Sequence, residues 1–146
     1  LLQIDENIAP ILLNIGMHSS NSEFVFISGT NAYKENALYF SITNIGETIK
    51  ECISNAFKIT KYDSINAINW AAVKGNTTRK DEESGGLGIP LLIDFALEHE
   101  GYVEIVSDDG YWYKSHKKTV EEKLYKPFPG TCISFKIKKI FLNILN

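Results

Sequence analysis

Apolar positions recur along this chain in two periods, and the points where one period gives way to the other divide it into elements. In "NIAPILLNIGMHS", Ile8, Ile11, Leu12 and Ile15 fall at helical spacing. Pro10 fits a helix that starts near Asn7, because a proline in the first turn removes an N–H that has no partner there. "EFVFISG" and "ALYFSIT" are rich in aromatic and branched residues and read as two strands joined by the polar loop "TNAYKEN", an expected antiparallel pair. After Asn44 the period lengthens again: Ile45, Ile49, Cys52, Ile53, Ala56 and Phe57 make the stripe of an amphipathic helix running to about Lys58.

A second helix is expected from Asp63 or Ser64 as N-cap, with Ile65, Ile68 and Ala72 toward the core and a stop at Gly75. There follows "GNTTRKDEESGG", with no apolar side chain, a length of polar chain that in a compact domain marks function or disorder. The next helix places Leu91, Leu92, Phe95 and Ala96 inward and ends at Gly101. "YVEIVSDDGYWYKS" reads as a hairpin turning at Asp109-Gly110, in which alternation sends Trp112 to the face opposite Tyr111 and Tyr113. A polar segment, "HKKTVEEKLYKPFP", leads to the last strand, "GTCISFKIKKI". In it Thr131, Ile133, Phe135 and Ile137 alternate with Cys132, Ser134, Lys136 and Lys138. Mostly antiparallel strands and about four helices predict an α+β fold, a two-layer α/β sandwich with a mixed sheet and its helices on one face.

Length and charge narrow the function. At 146 residues the chain is the size of one domain. Its 44% hydrophobic and 23% charged residues are ordinary for a soluble globular protein, and a net charge of −3 argues against a nucleic-acid surface. Cys52 and Cys132 have no C-x-x-C partner and no zinc spacing, so both read as small hydrophobes in a reducing compartment, with a disulfide between them left open. No metal-ligand spacing links His18 to His99 or His116. No apolar run approaches the roughly 18 residues of a membrane span, and the N-terminus lacks the pattern of a signal peptide, so a cytoplasmic protein is expected. The start at Leu1, already close to a helical pattern, is what a fragment of a longer chain would show.

The chemistry gathers around "SGGLGIPLL", where Gly85, Gly86 and Gly88 crowd the mouth of a helix. Glycine is entropically costly unless positive φ or close backbone approach is needed, and a helix N-terminus seats phosphate. A nucleotide is the ligand this pattern points to. Neither the dinucleotide fingerprint nor a Walker A lysine is present.

In order and spacing the motifs resemble those of the GHKL, or Bergerat-fold, ATPases, the histidine kinase-like ATPase domains, over almost the whole chain. "NIGMHS" resembles the family's helix box, which implies that Asn14 coordinates the magnesium bridging the phosphates. "NIGETI" resembles the box whose aspartate takes the adenine amino group, here Asn44, with Gly46 as its first glycine and Thr48 where the second would stand. "GNTTRK" is similar to the start of the family's mobile lid, placing Thr77, Thr78 and Lys80 near the phosphates. The charge run Lys74, Arg79 and Lys80 is expected to supply a phosphate contact. "GGLGI" resembles the lid's closing box, Gly85, Gly86, Leu87 and Gly88, and Gly130-Thr131 resembles the Gly-Thr whose threonine holds an adenine-contacting water.

Two departures matter. Asn44 keeps a carbonyl acceptor but loses the aspartate's charge. Pro10 stands where gyrase- and chaperone-type members carry the glutamate that activates water, so hydrolysis has no obvious general base. The resemblance implies a domain that binds ATP or ADP with Mg and acts as a nucleotide-dependent switch on a protein partner or on a preceding N-terminal segment. Two other readings stay open: a histidine or serine protein kinase catalytic domain, which needs no water-activating base, and an interaction module that has lost its nucleotide.

Overall fold

The computed structural model describes residues 24–78 and 88–138. The helix expected from Asn7, the residues 79–87 of the polar stretch and the chain beyond Lys138 lie outside the described residues. Strand β1 (Phe24–Ala32) passes through a short 3-10 turn (Tyr33–Glu35) into β2 (Ala37–Ile45). Helices α1 (Ile49–Phe57), α2 (Ser64–Ala71) and α3 (Gly88–Glu98) follow, then β3 (Tyr102–Ser115) and β4 (Thr119–Lys138). The strands form one open sheet in the order β1-β2-β4-β3, and every pairing is antiparallel rather than mixed. The α+β expectation stands in that form.

The inner face of the sheet follows the alternation of the sequence. Val103, Ile105 and Trp112 on β3 join Ile133, Phe135 and Ile137 on β4, and all six are buried with Ile68 of α2 and Leu92, Ile93, Phe95 and Ala96 of α3. Phe40 of β2 stacks on Phe135 with ring centroids 5.1 Å apart. Full burial of such side chains contributes about 1.5–3 kcal/mol each, which makes this layer the main source of stability. On the outer face Tyr39, Lys136 and Tyr102 lie in register across three strands, with Lys136 Nζ 5.1 Å from the Tyr39 ring centroid.

Several expectations from the sequence are corrected. Helix α1 starts at Ile49, because Ile45 pairs with Gly130 and closes β2. Thr48 is its N-cap in a capping box: the Thr48 N–H donates to Glu51 Oε2 at 2.8 Å and the Glu51 N–H to Thr48 Oγ1 at 3.3 Å. Helix α2 keeps its predicted cap, with the Asn66 N–H donating to Asp63 Oδ1 at 2.7 Å, but its regular turns end at Ala71, and Ile65 is only half-buried while Ala67 is fully buried. On α3, Leu91 is 40% exposed and Ile93 takes its place in the core.

The largest correction concerns Asp109-Gly110, which is no turn. Residues 102–115 form a single strand with an irregularity at Asp108, whose φ of 53° is left-handed. Gly110 serves packing instead: a Cβ there would stand 3.0 Å from Ser64 Cβ and 3.1 Å from Ile68 Cδ1 of α2. The hairpin turns at residues 115–118, where the Ser115 N–H donates to the Lys118 carbonyl at 3.0 Å. The polar segment expected as a connection is therefore the outer half of β4. Among the described residues its ladder pairs are with β3 alone, and Pro127 falls in the irregular stretch between the Lys123 and Phe128 pairs, where no ladder donor is needed. Trp112 is buried as alternation requires, and its Nε1–H donates to Asn69 Oδ1 at 3.0 Å.

The irregularity at Asp108 docks α2. The buried Ser64 hydroxyl lies 2.8 Å from Asp108 Oδ2 and 2.6 Å from Asp109 Oδ1. Lys50 reaches Asp108 at 3.3 Å and Lys123 reaches Asp109 at 3.0 Å. The Ser64 hydroxyl first, and then Lys123, hold the Asp109 carboxyl below the usual carboxylate range. A depressed carboxylate contributes stability that is fully present above its unfolded pKa, about 3.9, and is lost as pH falls through the folded value. Asp109→Asn is accordingly expected to lower the Tm at pH 7, and the gap to the wild type to close as pH drops below about 4. Thermal melts across pH 2–7 measure this; a gap that stays constant down to pH 2 would remove the linkage.

Candidate functional site

One cavity of about 150 Å³ opens between the sheet and the helices. Its floor is apolar, with Ile49 and Ile53 of α1 facing Ile133 of β4, and Trp70 and Ala71 of α2 close one side. Polar groups converge at its edges: Asn44, Glu47, Asn76, Thr77, Thr78 and Thr131. A small number of polar groups around an apolar interior is the usual make-up of a small-molecule site.

Each edge is placed by local structure. Asn44 and Thr131 are direct partners in the β2–β4 register, so their side chains stand side by side on the inner face. Gly130 lets the strands approach at this step: its φ is 152°, and a Cβ there would come within 2.0 Å of the Asn44 carbonyl oxygen. Past α2 the chain turns at Gly75, with φ of 88°. Asn76 fastens the turn, its Nδ2 donating to the Trp70 carbonyl at 2.9 Å, which sets Thr77 and Thr78 on the rim. The opposite rim is the start of α3, with Gly88 and Pro90 buried against the cavity. Lys74 pairs with Asp94 of α3 at 2.6 Å and ties the two rims together, an exposed bridge contributing about 0–1 kcal/mol.

The structure thus brings together five residues named from sequence: Asn44, Thr77, Thr78, Gly88 and Thr131. Gly46 is not among the lining residues; it turns β2 toward α1 with φ of 133°, and its N–H donates to the Pro129 carbonyl at 3.0 Å. Thr48 does not narrow the cavity, because its side chain is spent on the α1 cap. Asn14, Lys80, Gly85, Gly86 and Leu87 lie outside the described residues, as do Pro10 and Arg79.

Three further residues belong to the site without a motif that marks them. Glu47 is the one acidic residue on the lining among the described residues: Asn55 Nδ2 donates to its Oε1 at 2.7 Å and the Cys52 thiol to its Oε2 at 3.2 Å. Burial, and next the Glu47 carboxylate, push the Cys52 thiol up to about 12, so it stays protonated and unreactive at neutral pH. Asn76 sits inside "GNTTRK", between Gly75 and Thr77, and no motif position marks it. Ser107 lies behind Thr131, Oγ to Oγ1 2.8 Å, and accepts the Ile49 N–H at 2.9 Å. Alternation with Val103 and Ile105 is the sequence signal that could have placed Ser107 on the inward face. Both cysteines are free and half-buried, and Cys132 sits among Ser41, Thr43 and Ser134 on the outer face.

Among the described residues no group of His, Cys, Asp and Glu could hold a metal ion, and no helix is long and apolar enough to cross a membrane. Compared with known proteins, the chain matches no family model and no curated protein.

Proposed function

We propose that this cavity binds ATP or ADP with magnesium, and that the domain is a nucleotide-dependent switch of the Bergerat, GHKL type. One observation carries the reading: Asn44, Thr77, Thr78, Gly88 and Thr131, drawn from four separate stretches of sequence, line the same cavity. Residues that match the motifs only by accident, scattered over a chain, have no reason to converge on one cavity.

In this reading the apolar floor takes the base, the Asn44–Thr131 step reads its edge, and the phosphates lie toward the rim formed by Thr77, Thr78 and the start of α3. The magnesium would arrive with the phosphates, and the motif resemblance alone assigns its contact to Asn14, which lies outside the described residues. Magnesium there neutralises phosphate charge. Glu47, the one carboxylate on the lining among the described residues, is engaged by Asn55 and Cys52 rather than standing ready to activate water, which supports holding the nucleotide over cutting it. Order in the lid sequence over bound phosphates would then change how the domain meets a partner or its own N-terminal segment.

Isothermal calorimetry with ATP and with ADP, each with and without magnesium, tests this directly. Binding that strengthens with magnesium is expected; no heat at millimolar nucleotide with an intact fold would refute the reading.

A further inference from the structure

The buried hydroxyl pair behind the cavity has a direction. Ser107 is 1% exposed and Thr131 8%, and their oxygens are 2.8 Å apart. A hydroxyl has one proton and two lone pairs. On Ser107 one lone pair is taken by the Ile49 N–H, the first of α1, at 2.9 Å. If Thr131 donated to the second lone pair, the Ser107 proton would be left without an acceptor, since Ser107 has no further partner among the described residues. An unmade hydrogen bond at a buried hydroxyl is costly, so that arrangement is disfavoured. Ser107 therefore donates to Thr131, and the Thr131 proton is turned away from Ser107 into the cavity it lines. The positive end of α1 reinforces this polarity, because a hydroxyl that accepts from a helix N–H becomes a stronger donor.

We infer that Ser107 is a positioning residue that fixes Thr131 as a hydrogen-bond donor, so that the site selects a base presenting a ring-nitrogen acceptor beside an exocyclic amino group. This rests on the reading of the cavity as a purine-nucleotide site. Asn44, in register with Thr131, offers the neighbouring amide oxygen for the amino group. Adenine matches, with its N1 acceptor next to N6, whereas hypoxanthine and guanine carry N1–H and would set donor against donor. A single bridging water between Thr131 and the base transmits the same polarity.

The test compares ATP with 1-deaza-ATP, in which N1 is replaced by C–H, by calorimetry on the whole chain with magnesium. The wild type is expected to favour ATP by about threefold to tenfold, the size of one net hydrogen bond. Thr131→Val and Ser107→Ala should bring the two affinities within about twofold of each other, and Thr131→Ser should keep the preference. A merely structural role for Ser107 would weaken both nucleotides alike and leave their ratio unchanged, which would overturn the inference. Where Ser107→Ala fails to fold, Ser107→Cys, with its weaker S–H donor, serves instead, and a ratio equal to that of the wild type overturns it. Equal affinities in the wild type sink the relay while leaving nucleotide binding in place; no binding of either nucleotide removes both.

Discussion

Replacing Gly130 by alanine is expected to cost about 2–6 kcal/mol of folding stability, the sum of two separate penalties. The backbone there has φ of 152°, a conformation that L side chains rarely adopt, and holding a non-glycine residue in such a region costs roughly 1–3 kcal/mol. The added Cβ would also lie 2.0 Å from the Asn44 carbonyl oxygen and 3.0 Å from Ile45 Cα, backbone atoms that cannot swing aside, and overpacking of this kind costs roughly another 1–3 kcal/mol. For a domain of this size the Tm should fall by roughly 5–20 °C. Relief can come only from parting β2 and β4 at the Asn44–Thr131 step, so any variant that still folds should also bind nucleotide more weakly. Gly29→Ala is the control, since its Cβ would meet the movable ring of Phe40 at 3.3 Å. Thermal melts of both variants decide the matter, and a Gly130→Ala protein melting within about 2 °C of wild type would show that the strands yield there at little cost.

The residues that build the site were legible where one-dimensional pattern and three-dimensional role coincide. Thr131 sits on the inward phase of "TCISFKI" and Asn44 closes "ALYFSITN", so strand alternation alone places both on the helix-covered face. Asp63 announced the start of α2 because an N-cap is a local bond within one turn. Legibility failed where a residue's job depends on an element distant in sequence. Asp109-Gly110 has the chemistry of a tight turn, but Gly110 is small because α2 lies against it, and Ser64 draws both Asp108 and Asp109 toward the helix. The outer half of β4 looks like a connection because its own residues, from Thr119 to Pro129, are exposed or half-buried and mostly polar on both faces, while the buried hydrophobic residue of that ribbon, Trp112, is on β3. Ser107 shows an intermediate case: its inward phase was readable, but its bond to the first N–H of α1 was not, because nothing local says which helix will end there.

Asn44→Ala is expected to weaken ATP binding about 10- to 100-fold, because an exocyclic amino group buried without its acceptor forfeits roughly 1–3 kcal/mol. The Asn44 Nδ2 donates to the Glu47 carbonyl at 3.4 Å, and an amide that spends its donor in this way still carries an oxygen able to accept. Asn44→Asp separates charge from hydrogen bonding at the same position. It restores the residue that the GHKL resemblance would place there and keeps an acceptor for the base, so it should bind ATP better than Asn44→Ala. It also exchanges the amide donor for an oxygen facing the Glu47 carbonyl, with the Glu47 carboxylate on the same lining, so the protein without nucleotide should melt lower than the wild type. The asparagine thus suits the proposed role: with Glu47 already on the lining, a neutral acceptor would read an amino group without adding a second carboxylate. Calorimetry and melts on the two variants separate the effects. If Asn44→Ala bound ATP as tightly as wild type, the base edge would not be read at Asn44, and the orientation of the nucleotide argued above would be wrong.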